Sequence, residues 1–203
     1  MTDERVAERR TQILSAALDV FAEKGYHSTK ISDIAEKLNM GHGTFYRYFK
    51  NKLDIFSSVI DEIIIGIKEA LGDEDPERSN TIEEYQEQIQ RIGDRLFDFF
   101  MKDNRLGQVI FYENLRIDPE LHKKTNNAIE QINEFTKQYL INGVKKKFLN
   151  QHIDTTILAK AINSMIFASI KDFLESEKSE EICQRWTDTI ALLQMKGIAA
   201  SSK

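Results

Sequence analysis

Only two prolines, Pro76 and Pro119, interrupt a chain of 203 residues. Proline removes a backbone donor and breaks helices, so long stretches here can stay helical. Apolar residues recur at spacings of three and four, and no alternation of period two is sustained. The pattern predicts an all-α protein. Hydrophobic residues make up 41% of the chain and charged residues 30%, enough apolar material for a packed core and against wholesale disorder.

The first helix is expected over about residues 5–24, striped by Val6, Ile13, Leu14, Ala17 and Phe21. Gly25 stands where a helix end favours positive φ. Ser28 and Thr29 are N-cap candidates for a short second helix, striped by Ile31, Ile34, Ala35 and Leu38. Asn39, Met40 and Gly41 form a tight turn, since Asn and Gly tolerate positive φ. A third short helix covers about residues 42–48. Asn51 to Asp54 reads as a capping box with Asp54 at its third helical position, and it opens a long helix over 51–71. The acidic, proline-containing segment 72–80 is the clearest loop. Further helices are expected over about 81–102, 104–116 and 119–148, the last with Asp118 as cap and Pro119 as first helical residue. Asp154 caps a helix to about 174, and Ser179 caps one to about 196. This order gives an N-terminal domain over residues 1–52, connected through the 51–71 helix to a larger domain over 53–203.

Cys183 is the only cysteine. It excludes an intramolecular disulfide and fits a reducing cytosol. The N-terminal segment has no apolar secretion core. The longest uncharged apolar run, Ala161 to Ile170, is too short to span a bilayer. A cytoplasmic protein without membrane contact is expected. His27, His42, His122 and His152 are scattered and lack metal-ligand spacing, so no metal or cofactor is expected. No phosphate loop or nucleophile elbow appears.

The net charge of −5 points away from nucleic acid when taken whole. Its distribution says otherwise. Residues 1–52 carry 9 bases and 7 acids, a net +2, and residues 53–203 carry 19 and 26, a net −7. Between residues 37 and 52 there are four bases (Lys37, Arg47, Lys50, Lys52) and no acid. Two short helices joined by a glycine-containing turn form a helix-turn-helix, whose second helix enters the DNA major groove. Phe45 and Phe49, four residues apart, can face inward together, leaving Tyr46 and Tyr48 for other sides. Tyrosine hydroxyls and Thr44 are donors suited to phosphate oxygens. Gly43 costs helix propensity of roughly 1 kcal/mol against Ala, which suggests close packing or close approach of DNA.

Gly25-Tyr26, Ser28-Thr29, Ile34-Ala35, Gly43 through Phe49, and Lys50-Asn51-Lys52 together resemble the DNA-binding signature of the TetR (tetracycline-repressor) family of bacterial regulators. The resemblance covers about residues 9–56. It implies a homodimer with three N-terminal DNA-binding helices and a larger helical domain that binds a small ligand and the partner subunit. The family's backbone-contact positions fall on Thr29, Thr44, Tyr46, Tyr48 and Lys52. Its base-contact positions fall on Lys30, Ser32, His42 and Gly43, and Arg47 serves either role. Asn39 replaces the usual turn glycine, and Lys30 stands where a small hydroxylated residue is common.

In the larger domain, Phe97, Phe100, Phe111, Tyr112, Phe135, Tyr139 and Phe167 are candidates for the wall of a pocket for an apolar or aromatic ligand; the other reading of each is core. Met101 and Met165 can adapt in shape. The helix over 154–174 is apolar nearly all round and must be covered on every side. Ala161, Met165 and Ala168, with Ile182, Trp186, Ile190 and Leu193 of the last helix, form the candidate dimer interface, a four-helix arrangement across two subunits. A central helix of a monomer is the alternative. The expected function is a ligand-responsive transcriptional regulator, a repressor on a pseudo-palindromic operator, in which ligand binding alters the spacing of the recognition helices. The alternative is an all-helical ligand carrier or enzyme with no role on DNA, though no catalytic constellation supports it.

Overall fold

The computed structural model describes residues 3–72, 74–112, 118–176 and 179–197. Among them the chain is all helical. The elements are α1 (Asp3–Ser28), α2 (Ile31–Lys37), α3 (His42–Phe45), α4 (Lys52–Leu71), α5 (Ile82–Lys102), α6 (Asn104–Tyr112), α7 (Pro119–Lys145), α8 (Thr155–Glu175) and α9 (Ser179–Gly197). Packing groups residues 1–66 with 103–122 as one unit and residues 67–102 with 123–203 as another. This grouping follows contacts, whereas the 52/53 division follows the sequence motif.

In the N-terminal unit the stripes converge on a filled aromatic centre. Phe21 of α1 meets Phe56 of α4 edge to face at 4.9 Å, and Tyr26 lies 4.8 Å from the same ring. Ile13, Ile34, Phe45, Ile55, Ile60 and Ile63 are fully buried around them. Each such side chain contributes roughly 1.5–3 kcal/mol by leaving water. The unit's α1 packs on α2 and α6. Asp19 of α1 ties the three together. Lys37 of α2 reaches it at 2.7 Å, and Arg105 of α6 donates to its other oxygen. Partial burial pushes the Asp19 carboxyl up, but the hydrogen bonds from Lys37 and Arg105 outweigh it and hold the group below the ordinary aspartate value.

Several boundaries differ from expectation, each for a local reason. Backbone of α1 breaks at Gly25, at φ 75 and ψ 162, a region open to glycine alone. The N-cap of α2 falls at Lys30, not Ser28 or Thr29. The Thr29 hydroxyl is buried and donates back to the Gly25 carbonyl at 2.7 Å, so it closes α1 instead of opening α2. Asp33 supplies the cap of α2 by accepting from the Lys30 N–H at 2.9 Å. In the α4 cap, Asn51 accepts from the Asp54 N–H at 2.8 Å, as expected, but the Asp54 carboxylate accepts from Lys50 and not from Asn51. After α3 the chain tightens to i→i−3 bonds, Arg47 to Thr44 and Tyr48 to Phe45, so α3 ends at Phe45 and not at Tyr48.

The C-terminal unit holds α5, α8, α9, the end of α4 and α7 from residue 123 onward; the first four residues of α7 and its cap Asp118 fall in the N-terminal unit. Asp118 and Asp154 cap as expected, accepting from Glu120 and Leu121 and from Thr156 and Ile157. Helix α7 ends at Lys145, short of the expected 148, because Lys147 takes φ 67. The chain then folds back, and the Leu149 N–H reaches the Gly143 carbonyl at 3.1 Å. A side chain at 143 would collide with Leu149 and Phe148. The expected end of α6 at 116 lies outside the described residues. None of the described helices is long and apolar enough to cross a membrane.

The segment 74–80, loop-like by composition, is pinned inward. The Glu74 carboxylate accepts from Arg91 at 3.3 Å and Gln88 at 3.2 Å and pairs with Arg95 at 3.4 Å. Its backbone carbonyl accepts from the Tyr139 hydroxyl at 2.9 Å. Asn142 donates to the Ser79 carbonyl at 2.9 Å. Lys146 donates to the carbonyls of Glu77 (2.6 Å) and Ser79 (2.9 Å) and to Asn80 Oδ1 (2.8 Å). The hydrogen bond from Arg91 and the neighbouring guanidinium charges keep the Glu74 carboxyl below the usual glutamate range despite its burial.

Candidate nucleic-acid interface and cavity

The turn between α2 and α3 is built by backbone. Asn39 sits at φ 49, and the N–H groups of Leu38, Asn39 and Met40 return to the carbonyls of Ala35 and Glu36. This reversal presents α3 with Phe45 and Phe49 inward, both essentially inaccessible, their rings 5.9 Å apart. The opposite face is therefore polar and exposed. It carries His42, Gly43, Thr44, Tyr46 and Arg47, with Lys30 exposed at the start of α2. Tyr46 is 54% exposed, unusual for a large aromatic ring and suited to a partner outside the protomer. Ser32 and Tyr48 are half-buried. A Cβ at Gly43 would meet nothing within 4 Å. Packing thus gives no reason for glycine there, as it gives none at Gly41, Gly93 or Gly197.

Two of the expected contact residues are engaged within the protein. Thr29 is buried with its hydroxyl on Gly25. The Lys52 ammonium donates to the carbonyls of Tyr26 at 2.7 Å, Thr29 at 2.9 Å and His27 at 3.3 Å. The basic run narrows accordingly. Lys37 is paired with Asp19 and the half-buried Lys52 is held by three carbonyls, while Lys30, Arg47 and Lys50 form no ion pair with another described residue.

In the C-terminal unit a cavity of about 50 Å³ lies among α5, α7, α8 and the end of α4. Four of the expected aromatics line it: Phe100, Phe135, Tyr139 and Phe167. Most of the remaining wall is aliphatic, with Thr136 and Asn163 as polar members. Thr136 donates to Asn163 at 3.0 Å, and Asn163 donates to Asn133 at 2.9 Å. The sequence reading missed this polar group because isolated Asn and Thr carry no signal outside their packing. Phe97 lies instead on a neighbouring groove of about 490 Å³ among α5, α8 and α9, with Trp186 and Ile190. Ile89, Gly93, Leu96, Ile166 and Ile170 line both spaces. The side chains of Phe111, Tyr112 and Cys183 lie outside the described residues.

Of the expected dimer residues, Ala161 and Leu193 are exposed, while Met165, Ala168, Ile182, Trp186 and Ile190 are half-buried. Trp186 Nε1 donates to Asp172 of α8 at 3.0 Å, which docks α9 on α8. Ile157 at 62% and Leu192 at 53% add exposed apolar surface that the sequence reading did not select. Among the described residues no group of three or more His, Cys, Asp or Glu is placed to hold a metal ion.

Comparison with known proteins agrees with this geometry. Residues 13–59, which contain α2, α3 and their turn, match the sequence profile described as "Bacterial regulatory proteins, tetR family". The Fatty acid metabolism regulator protein of Bacillus subtilis is 24% identical over 182 residues, 90% of this chain and 92% of its own. The transcriptional activator FasR of Mycolicibacterium smegmatis is 26% identical over 127 residues, 61% of this chain and 54% of its own. Among solved structures, Bacillus subtilis FadR in complex with stearoyl-CoA superposes with a TM-score of 0.72 at 23% identity, covering 92% of this chain and 98% of that one. These relatives are transcriptional regulators, not enzymes. Residues 13–59 thus carry the helix-turn-helix domain of the tetR family of bacterial regulators, and the chain is similar over most of its length to DNA-binding regulators of transcription.

Proposed function

We propose that the protein is a homodimeric, ligand-released repressor of a pseudo-palindromic operator. The observation that carries this reading is the exposed polar face of α2 and α3. His42, Gly43 and Lys30 address base edges on it, Thr44, Tyr46 and Tyr48 address phosphates, and Ser32 and Arg47 flank them. Residues 1–52 act as the DNA-binding domain and 53–203 as the ligand and dimer domain. Two copies pair through α8 and α9, through Ala161, Met165, Ala168, Ile182, Trp186, Ile190 and Leu193, with Ile157 and Leu192 joining them. A two-fold dimer then places two recognition helices in major grooves about 34–36 Å apart or a longer repeat.

The effector we propose is a fatty acyl chain. The largely aliphatic cavity suits hydrocarbon, and the Bacillus subtilis relatives concern fatty acid metabolism and stearoyl-CoA. At about 50 Å³ the cavity is well below the roughly 300–1,000 Å³ of ordinary ligand sites. The chain therefore enters by opening the wall shared with the larger groove, which joins the aliphatic cavity to a space that also carries Gln86, Glu87, Gln90 and Asp94. Such opening selects a different helix arrangement, and unequal affinity for the two arrangements is what allows release of DNA.

The test is a gel-shift titration on duplex from upstream of the protein's own coding region. Wild-type binds tightly and salt-sensitively. Tyr46→Ala binds about tenfold more weakly, the size of one good contact, with an unchanged melting curve. Wild-type that binds neither this duplex nor any other genomic fragment refutes the reading.

A further inference from the structure

Lys52 is the first residue of α4, and the resemblance assigns it to a contact with the DNA backbone. Its geometry points elsewhere. Breaking of α1 at Gly25 leaves the carbonyls beyond the break without helical donors. Lys52 faces three of them, the carbonyls of Tyr26 (2.7 Å), Thr29 (2.9 Å) and His27 (3.3 Å). An ammonium has three donors, and all three are engaged. The same nitrogen lies 4.4 Å from the centre of the Tyr26 ring, which adds a cation–π contact and covers its remaining side. No donor is left for a phosphate oxygen.

We infer that Lys52 is a positioning residue of the recognition head: it caps the broken end of α1 and so fixes where α2 begins. Thr29 supports the same corner, with its hydroxyl on Gly25 and its carbonyl on Lys52. Two residues further on α2 starts at Ile31, and α2 carries the turn that presents α3. A displaced corner therefore misdirects the whole DNA-reading face. This inference concerns one residue's role within the proposed DNA interface, and its failure is separable from failure of that proposal.

Full-length Lys52→Met keeps the stem and removes the charge and the donors; Lys52→Arg restores both. Binding to a generic 20-base-pair duplex is measured against salt, and amide hydrogen exchange is measured over residues 31–37. A phosphate contact supplies about one unit of the slope of log K against log salt. A positioning residue supplies none. The expected result for Lys52→Met is affinity about tenfold lower at every salt concentration with the slope unchanged. Exchange over residues 31–37 accelerates about tenfold while α8 is unaffected, and Lys52→Arg recovers most of both losses. A slope smaller by about one unit with exchange unchanged overturns the inference, as does a variant indistinguishable from wild-type in both. If wild-type binds no duplex, the DNA reading falls, and the exchange measurement alone decides Lys52.

Discussion

Lys52 in the N-terminal unit and Lys146 in the C-terminal unit use the same device with different surroundings. Each directs one ammonium at three oxygens: Lys52 at the carbonyls of Tyr26, His27 and Thr29, Lys146 at Glu77, Ser79 and Asn80. The loop under Lys146 has other holds, because Glu74 is clamped by Arg91, Arg95 and Gln88, and Ser79 is also bonded by Asn142. Lys52 is the one described side chain from beyond α2 that donates to the corner at residues 26–29. A redundant loop tolerates losing one donor, whereas a corner closed by a single distant cation does not. The difference is not chemical, since the donors and acceptors are alike. It lies in how many other bonds share the task.

Three substitutions probe this contrast. Glu74→Gln removes the charge at the centre of the redundant network and should cost about 2 kcal/mol in urea unfolding, because two guanidinium groups lose a mostly buried partner. The folded carboxyl is depressed from its ordinary 4.5. Its contribution is therefore complete above that value and lost as pH falls through the lower folded value, so the gap between variant and wild-type should close on acidification. A gap that persists in acid breaks the assignment. Lys146→Met should cost only about 1 kcal/mol and leave exchange of the Ser79 to Thr81 amides nearly unchanged; rapid exchange there would erase the distinction from Lys52. Asp19→Asn should be mildest, about 0.5 kcal/mol, because its partners Lys37 and Arg105 are solvent-screened. That loss should be present above pH 3.8 and vanish below the depressed folded value, as thermal melts across pH will show.

Much of the helical order was legible because helix starts are local. Asp118 and Asp154 each bond amides two and three residues ahead, and a reader of sequence sees both partners at once. The inward placing of Phe45 and Phe49 followed from their spacing alone. What stayed hidden was long-range. Whether Lys52 faces solvent depends on Tyr26, 26 residues away in sequence. The segment 74–80 looked loose by composition, yet its restraints come from α5, α7 and the residue after α7. The end of α7 was misplaced because Lys147 takes a backbone conformation that its residue type does not announce. The cavity was sought through aromatic residues, but shape is set by which aliphatic stripes meet, and Phe97 falls on the neighbouring groove.

The empty space around Gly43 has an evolutionary consequence. A residue that packs against nothing can be replaced without disturbing the fold, and almost any replacement gains helix propensity, up to about 1 kcal/mol for alanine. Glycine at 43, under the proposed reading, gives up helix stability for close approach of the DNA. Under the proposed reading, position 43 is where a duplicated copy of this protein could acquire a new operator in a single step: the new side chain would meet the DNA and nothing else.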